Sequence, residues 1–244
     1  MFAAKQIFAS DVYKTNAIPE GGIVPGTLAV DEFGDLYRWT LNGASAMVAG
    51  QLQLAPVQKT NHHNVNAYAA VTANGLNKKV TLTLGATAAV AQEYAHGYLV
   101  ANDVAPEGET YRIVSHPAAD SAATLEVTVN YPFQSAITTS SQFTLVHNTW
   151  WKPVAGTTVT IRAAGVPMVD VPASEYCWLK TRGVASVLIG TAATLGADLI
   201  VGGTAGAVTD RTDALGASAE PVVAVADIVL GVATEYNPVR LVID

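Results

Sequence analysis

Short runs in which apolar and polar residues alternate recur along the chain: "TLAVDEFGDLYRWTL", "KKVTLTLG", "TYRIVSH", "TLEVTVNYPF", "SQFTLVHNTWW", "TTVTIRAAG" and "VRLVID", each bounded by Gly, Pro, Asn or Asp. A period of two sends successive side chains to opposite faces of a strand, and β-branched and aromatic residues fit that pleated surface. The pattern predicts an all-β chain of β-sandwich or β-barrel-like domains. The one stretch with a helical look is "TAAVAQEYAHGYLV", Thr87 to Val100. Gly97 and the β-branched end limit it to a short turn of helix at best.

Turn chemistry sharpens the reading. In "AVDEFGDLYRW" the residues Phe33, Gly34 and Asp35 separate two strand-like halves, and Gly34 supplies the positive φ of a tight connection, which predicts a hairpin. A second hairpin is predicted in "ATLGADLIVGGTAGAVTD", where small residues allow a neighbouring backbone to approach closely. The segment "AIPEGGIVPG" holds Pro19, Gly21, Gly22, Pro25 and Gly26 and suits neither a regular helix nor a central strand. Residues 1–26 therefore read as an extended N-terminal arm, 27–165 as a β-rich main domain, and 166–244 as a Gly/Ala/Val-rich β domain, with a soft boundary near Gly165. No repeat of 20 to 50 residues stands out, which argues against solenoids and propellers.

Composition changes the picture in two ways. Half of the 244 residues are apolar, enough for a sizeable core, while only 14% are charged, which predicts an unusually neutral surface of the kind that becomes an interface. The net charge of −7 argues against direct contact with nucleic acid, whose binding rests on Lys and Arg neutralising phosphates. Lys78 and Lys79 read as the solvated edge of the strand that follows. Cys177 is the single cysteine, so neither an internal disulfide nor a thiolate zinc cluster is expected. The start "MFAAKQIFASDVYK" has no signal-peptide core, and a reducing cytosol suits the chain. The apolar run from Gly183 to Gly203 is broken by glycines and Asp198, so it reads as two strands and a turn instead of a membrane span.

Candidate chemistry is sparse. His62, His63, His96, His116 and His147 lack the spacing of a chelate, and "NHHN" on a strand would point its two histidines apart, so they read as surface or loop residues. Asp31, Glu32 and Asp35 lack the regular donor pattern of a calcium loop and read as turn acids. Neither "GASAM" at Gly43 nor "GASAE" at Gly216 completes a nucleophile elbow, and Cys177 in "SEYCWLKTRG" reads as a core thiol. "GGTAGAVTD" lacks the G-K-[ST] of a phosphate loop. Nothing selects one pair among the twenty acids as glycosidase carboxylates. Trp150 and Trp151 in "NTWWKP" face opposite ways if extended: either one is left exposed for a protein interface or a stacked sugar, or both are buried at a sheet end. No catalytic, cofactor-binding or metal residues are expected.

The order of segments carries a resemblance. "DEFGDLYRWTLNGASAMVAGQLQLAPV", then "AHGYLVANDVAPEGETYRIVSHPAADSAATLEVTV", then "GVPMVDVPASEYCWLKTRGVASVLIGTAATLGADLIVGGTAGAVTD", and finally "LGVATEYNPVRLVID" resemble structural proteins of tailed-bacteriophage virions. More narrowly, Val30 to Asp244 is similar to capsid decoration or cement proteins, through glycine, aromatic and apolar positions. The resemblance implies a non-enzymatic auxiliary protein on the capsid exterior. It would assemble in the host cytoplasm as a homotrimer and clamp neighbouring major capsid subunits, with no membrane partner. A tail, fibre or glycan-binding adhesion protein is the alternative.

Overall fold

The computed structural model describes residues 4–157, 161–211, 221–230 and 233–244. Among the described residues all of the regular structure is strand apart from two 3-10 turns, Ala9–Tyr13 and Thr60–His62. The chain divides into two units: residues 1–56 with 149–244, and an insert of residues 57–148. The expected boundary near Gly165 is therefore displaced. Gly165 lies inside a strand, where a Cβ would come within 2.8 Å of Lys180 O, so the change in composition marks close backbone packing rather than a domain edge.

The discontinuous unit begins with β1 (Lys5–Gln6), β2 (Leu28–Val30), β3 (Leu36–Leu41) and β4 (Gln53–Leu54). The insert supplies β5 (Val65–Asn66), β6 (Lys79–Thr83), β7 (Tyr98–Asp103), β8 (Thr110–Ser115), β9 (Thr124–Val129) and β10 (Gln142–Val146). The chain then returns through β11 (Ala163–Pro167), β12 (Tyr176–Leu188), β13 (Asp198–Val201), β14 (Val208–Asp210), β15 (Ala224–Ala226) and β16 (Tyr236–Val242). Thr87 to Val100, the stretch with the helical look, is not helical: residues 87–97 form a bridge and turns, and the rest belongs to β7.

In the insert the strands follow the order β5-β10-β7-β8-β9-β6, all antiparallel, and a bridge between Ala67 and Leu82 brings β5 back to β6. The result is a nearly closed six-stranded barrel. Alternation fills it: Val80 and Leu82, Leu99 and Ala101, Leu125, Val127 and Val129, Phe143 and Leu145 all point inward, with Tyr94 and Phe133 added from connections. In the discontinuous unit the long strand β12 pairs β3 through its first half and β16 through its second, and the path continues β16-β15-β13-β14. A parallel bridge from Ile189 to Val208 returns β14 to the end of β12. Small Ala and Val side chains from β12 to β16 line this second enclosure. Both predicted hairpins are present: β2–β3, with Gly34 at φ 89°, and β13–β14.

One local device recurs in both units. Antiparallel bridges join Met47 to Val171, Val71 to Ile137, Ala89 to Ala119 and Ala193 to Leu230, each with two backbone hydrogen bonds. Met47, Ala89, Ala119, Val171 and Ala193 are each followed three residues later by a positive φ, at Gly50, Gln92, Ala122, Ser174 and Gly196. Each turn closes with a backbone bond of 3.1–3.4 Å, as from Ala197 N–H to Thr194 O. This is the pattern of a type II turn. The turn itself does not demand glycine, since Gln, Ala and Ser occupy three; at Gly50 it is required by contact, because a Cβ would stand 2.7 Å from the Tyr236 ring and 2.8 Å from Ser186 O.

The N-terminal arm is not free. Over residues 4–26 it has little regular structure, as its Pro and Gly require, yet Ile7, Val12 and Ile23 are buried against Tyr37, Trp39 and Trp178. β1 pairs in parallel with β2, and Asn16 exchanges two backbone bonds with Tyr176. Each apolar side chain so buried contributes roughly 1.5–3 kcal/mol, which outweighs an untethered arm. The segment is a strap completing its own unit.

Candidate functional site

A group of titratable side chains in the insert corrects the surface reading of the histidines. His62, His116 and His147 are buried; only His63 is fully exposed. Three rings surround Tyr94: His147 stacks on it at 4.3 Å, and His62 and His116 lie 5.6 and 5.7 Å away. The His62 Nε2 is 2.8 Å from Thr87 O and donates to it, leaving Nδ1 to accept the Tyr94 hydroxyl at 2.5 Å. His116 Nδ1 donates to Pro117 O at 2.8 Å, and its Nε2 accepts the Tyr94 backbone N–H at 2.9 Å. His147 faces Gln58 Oε1 at 3.1 Å and Glu93 Oε1 at 3.2 Å.

Glu93 anchors the charged side of the cluster. Burial works against its carboxylate, but hydrogen bonds from His147, Lys59 and the Val90 amide outweigh burial and hold the carboxyl down at about 2. Burial pushes the Tyr94 hydroxyl well above its ordinary range, and it keeps His62 and His116 below theirs. The ring nitrogens of His62, His116 and His147 all have partners. The arrangement acts as a clamp that joins segments 58–62, 87–96, 116–117 and 147. Among the described residues no group of three or more His, Cys, Asp or Glu is placed to hold a metal ion.

Sequence reasoning missed this cluster, although one signal was present. In "QFTLVH" the inward residues Phe143 and Leu145 extend by period two to His147. The register shift in β8 between Ile113 and Ser115 hides the equivalent signal for His116.

In the discontinuous unit the acids of the first hairpin organise its turn. Asp31 Oδ1 accepts the backbone N–H groups of Phe33 and Asp35, and Oδ2 accepts the Tyr37 hydroxyl at 3.1 Å. Glu32 reaches back to the Ala9 N–H at 2.8 Å. Asp35 pairs at 2.5 Å with Lys180, a lysine only 5% exposed that also donates to Val184 O. The three acids belong to a tied turn.

Cys177 is fully buried, and burial pushes its thiol up to about 12, which suits packing and not nucleophilic attack. Trp150 and Trp151 are both half-buried, matching neither sequence alternative. The Trp150 indole donates to Ala164 O, and the guanidinium groups of Arg38 and Arg162 lie 4.8 and 5.5 Å from its ring. "GGTAGAVTD" is the β13–β14 turn and second strand, whereas Gly216 lies outside the described residues. No helix among the described residues is long and apolar enough to cross a membrane.

The strap and first hairpin leave large apolar side chains in solvent. Phe8 is 71% exposed, Ile18 76% and Phe33 78%, with Tyr13 exposed between them in sequence. The Ala9–Glu32 bond and the Ile7 N–H to Val30 O bond tie the Phe8 and Phe33 segments together. Comparison with protein-family models, curated proteins and solved structures finds no match.

Proposed function

We propose that this chain is a non-enzymatic virion structural protein that binds the outer surface of a phage capsid and stabilises the lattice of major capsid subunits. The observation that carries the reading is the exposed set Phe8, Ile18 and Phe33, fixed on a docked strap and a tied hairpin. Large apolar side chains held in solvent by a rigid scaffold are the usual anchors of protein interfaces. A low charge content and the ordered resemblance to decoration proteins support the same partner, with a homotrimer as the binding form. The mechanism is mass action: a ligand of the expanded shell alone stabilises that shell by RT ln(1 + [L]/Kd), about 2.7 kcal/mol per site at a hundredfold excess over Kd.

The test is light scattering of the purified protein, alone and mixed with expanded heads that lack it. A trimer that saturates the heads is expected. A protein that stays separate from heads at every concentration overturns the reading. Because Ile7, Val12 and Ile23 belong to the core, deleting the strap is the wrong perturbation. Replacing Phe8 and Phe33 by Ser leaves the fold intact and weakens head binding at least about tenfold.

A further inference from the structure

Tyr94 enters the insert's core from the β6–β7 connection, and His116 fixes the backbone that carries it. Pro117 O can only accept, so His116 Nδ1 bears a proton; the Tyr94 N–H can only donate, so Nε2 must present its lone pair. A second proton on His116 would place a ring N–H against a backbone N–H in a buried site. Neither can rotate away, since one is main chain and the other belongs to a ring held by Pro117. His62 is more forgiving, because the Tyr94 hydroxyl that it accepts can turn and accept in return.

We propose that His116 is an acid-operated latch: protonation releases Tyr94 and the Thr87–Gly97 connection from the end of the insert's barrel, with His62 taking up a proton in the same opening. The connection has several ties that would be released together. The Gln92 N–H donates to His116 O, Lys59 reaches Ala88 O, and the bridge between Ala89 and Ala119 closes beside them. The charged and titratable groups facing His116 are Glu93, His62 and His147, with Lys59 bound to Glu93. Glu93 favours the imidazolium, but it is occupied by Lys59 and His147, and the other two histidines oppose a further positive charge. His96, on the same connection, is kept below its ordinary range by burial and by Arg112, so it too takes up a proton when the connection opens.

The sign follows from linkage. His62, His96 and His116 all bind protons less readily when closed than when free, so the closed state is fully favoured above about pH 6.5 and loses ground as pH falls below it. Uptake of three protons raises the open-to-closed ratio by up to about a thousandfold per pH unit. The latch stands independently of the capsid reading.

Long-range proton–nitrogen NMR of the whole protein reads each tautomer directly. At pH 7.5 His116 is expected protonated on Nδ1 and His62 on Nε2. Between pH 6.5 and 4.5 the Tyr94 amide and those of residues 87–97 should leave their native positions in step with the imidazolium signals. An Nε2–H tautomer at His116, or a His116 imidazolium with the Tyr94 amide unmoved, overturns the proposal. His116→Gln, which keeps an acceptor but does not titrate, should lower the pH dependence of opening about tenfold, to at most about a hundredfold per unit. If that variant does not fold, the wild-type spectra decide alone.

Discussion

All four tryptophans are in the discontinuous unit and all five histidines are in the insert, although both units are built from the same bridged turns. Each unit also closes its sheet through a single bridge, Ala67 to Leu82 in one and Ile189 to Val208 in the other. What differs is how the last space is filled. The discontinuous unit uses indoles, alanines and a strap, with a buried lysine paired to a partly exposed carboxylate. The insert uses a tyrosine whose hydrogen bonds reach imidazoles. Packing of the first kind is indifferent to pH between about 5 and 8, whereas the second requires neutral rings and so ties stability to protons. One architecture can therefore carry two different responses.

The largest expected effect separates the units outright. Tyr94→Ala removes a fully buried ring and leaves the His62 Nδ1 without its donor, and should cost the insert about 3–5 kcal/mol. Because every tryptophan is outside the insert, indole emission during urea unfolding should keep its wild-type midpoint while far-ultraviolet circular dichroism shows an earlier transition. A matching shift in indole emission would mean that the units unfold as one.

A smaller effect probes the other side. Lys180 is buried, and Asp35 keeps 29% of its side chain exposed, so Asp35→Ala leaves a charge without its carboxylate partner and should cost about 2 kcal/mol, below the range for fully buried pairs. Here indole emission should move. Adding Lys180→Met removes the stranded charge and should recover at least half of the loss. No recovery would show that Asp35 acts through its turn and not through the ion pair.

Much of the fold was legible in the residues. Strands such as β6, β9 and β10 follow directly from alternation, and the two hairpins follow from Gly34 and from the glycines after Val201. The division at Pro56 and Asn148 was not legible, because no composition change marks it, while the change near Gly165 comes from backbones packed too closely for larger side chains. The histidine cluster was hidden for a different reason. Its recognition depends on acceptors and donors from distant segments, Thr87 O, Pro117 O and Tyr94 N–H, and not on any spacing of the histidines themselves. The strap misled through composition: Pro and Gly forbid regular structure but do not prevent Ile7, Val12 and Ile23 from being buried.

The recurring turn escaped notice because its signature is a backbone angle, and this leads to the finest prediction. Gly196 has φ 80° and open space where a Cβ would stand, so Gly196→Ala meets only the left-handed strain, about 1 kcal/mol. Ala122 already carries that strain in the insert, at φ 58°. Replacing it with Gly relieves the strain but widens the unfolded ensemble by a similar amount, so Ala122→Gly should change stability by less than about 0.5 kcal/mol. Thermal unfolding of the two variants measures both. If Gly196→Ala costs more than about 3 kcal/mol, the glycine serves a contact beyond its turn, and the two units do not share one device. If the costs fall as stated, the turns are interchangeable, and what distinguishes the units lies in the side chains that their sheets enclose.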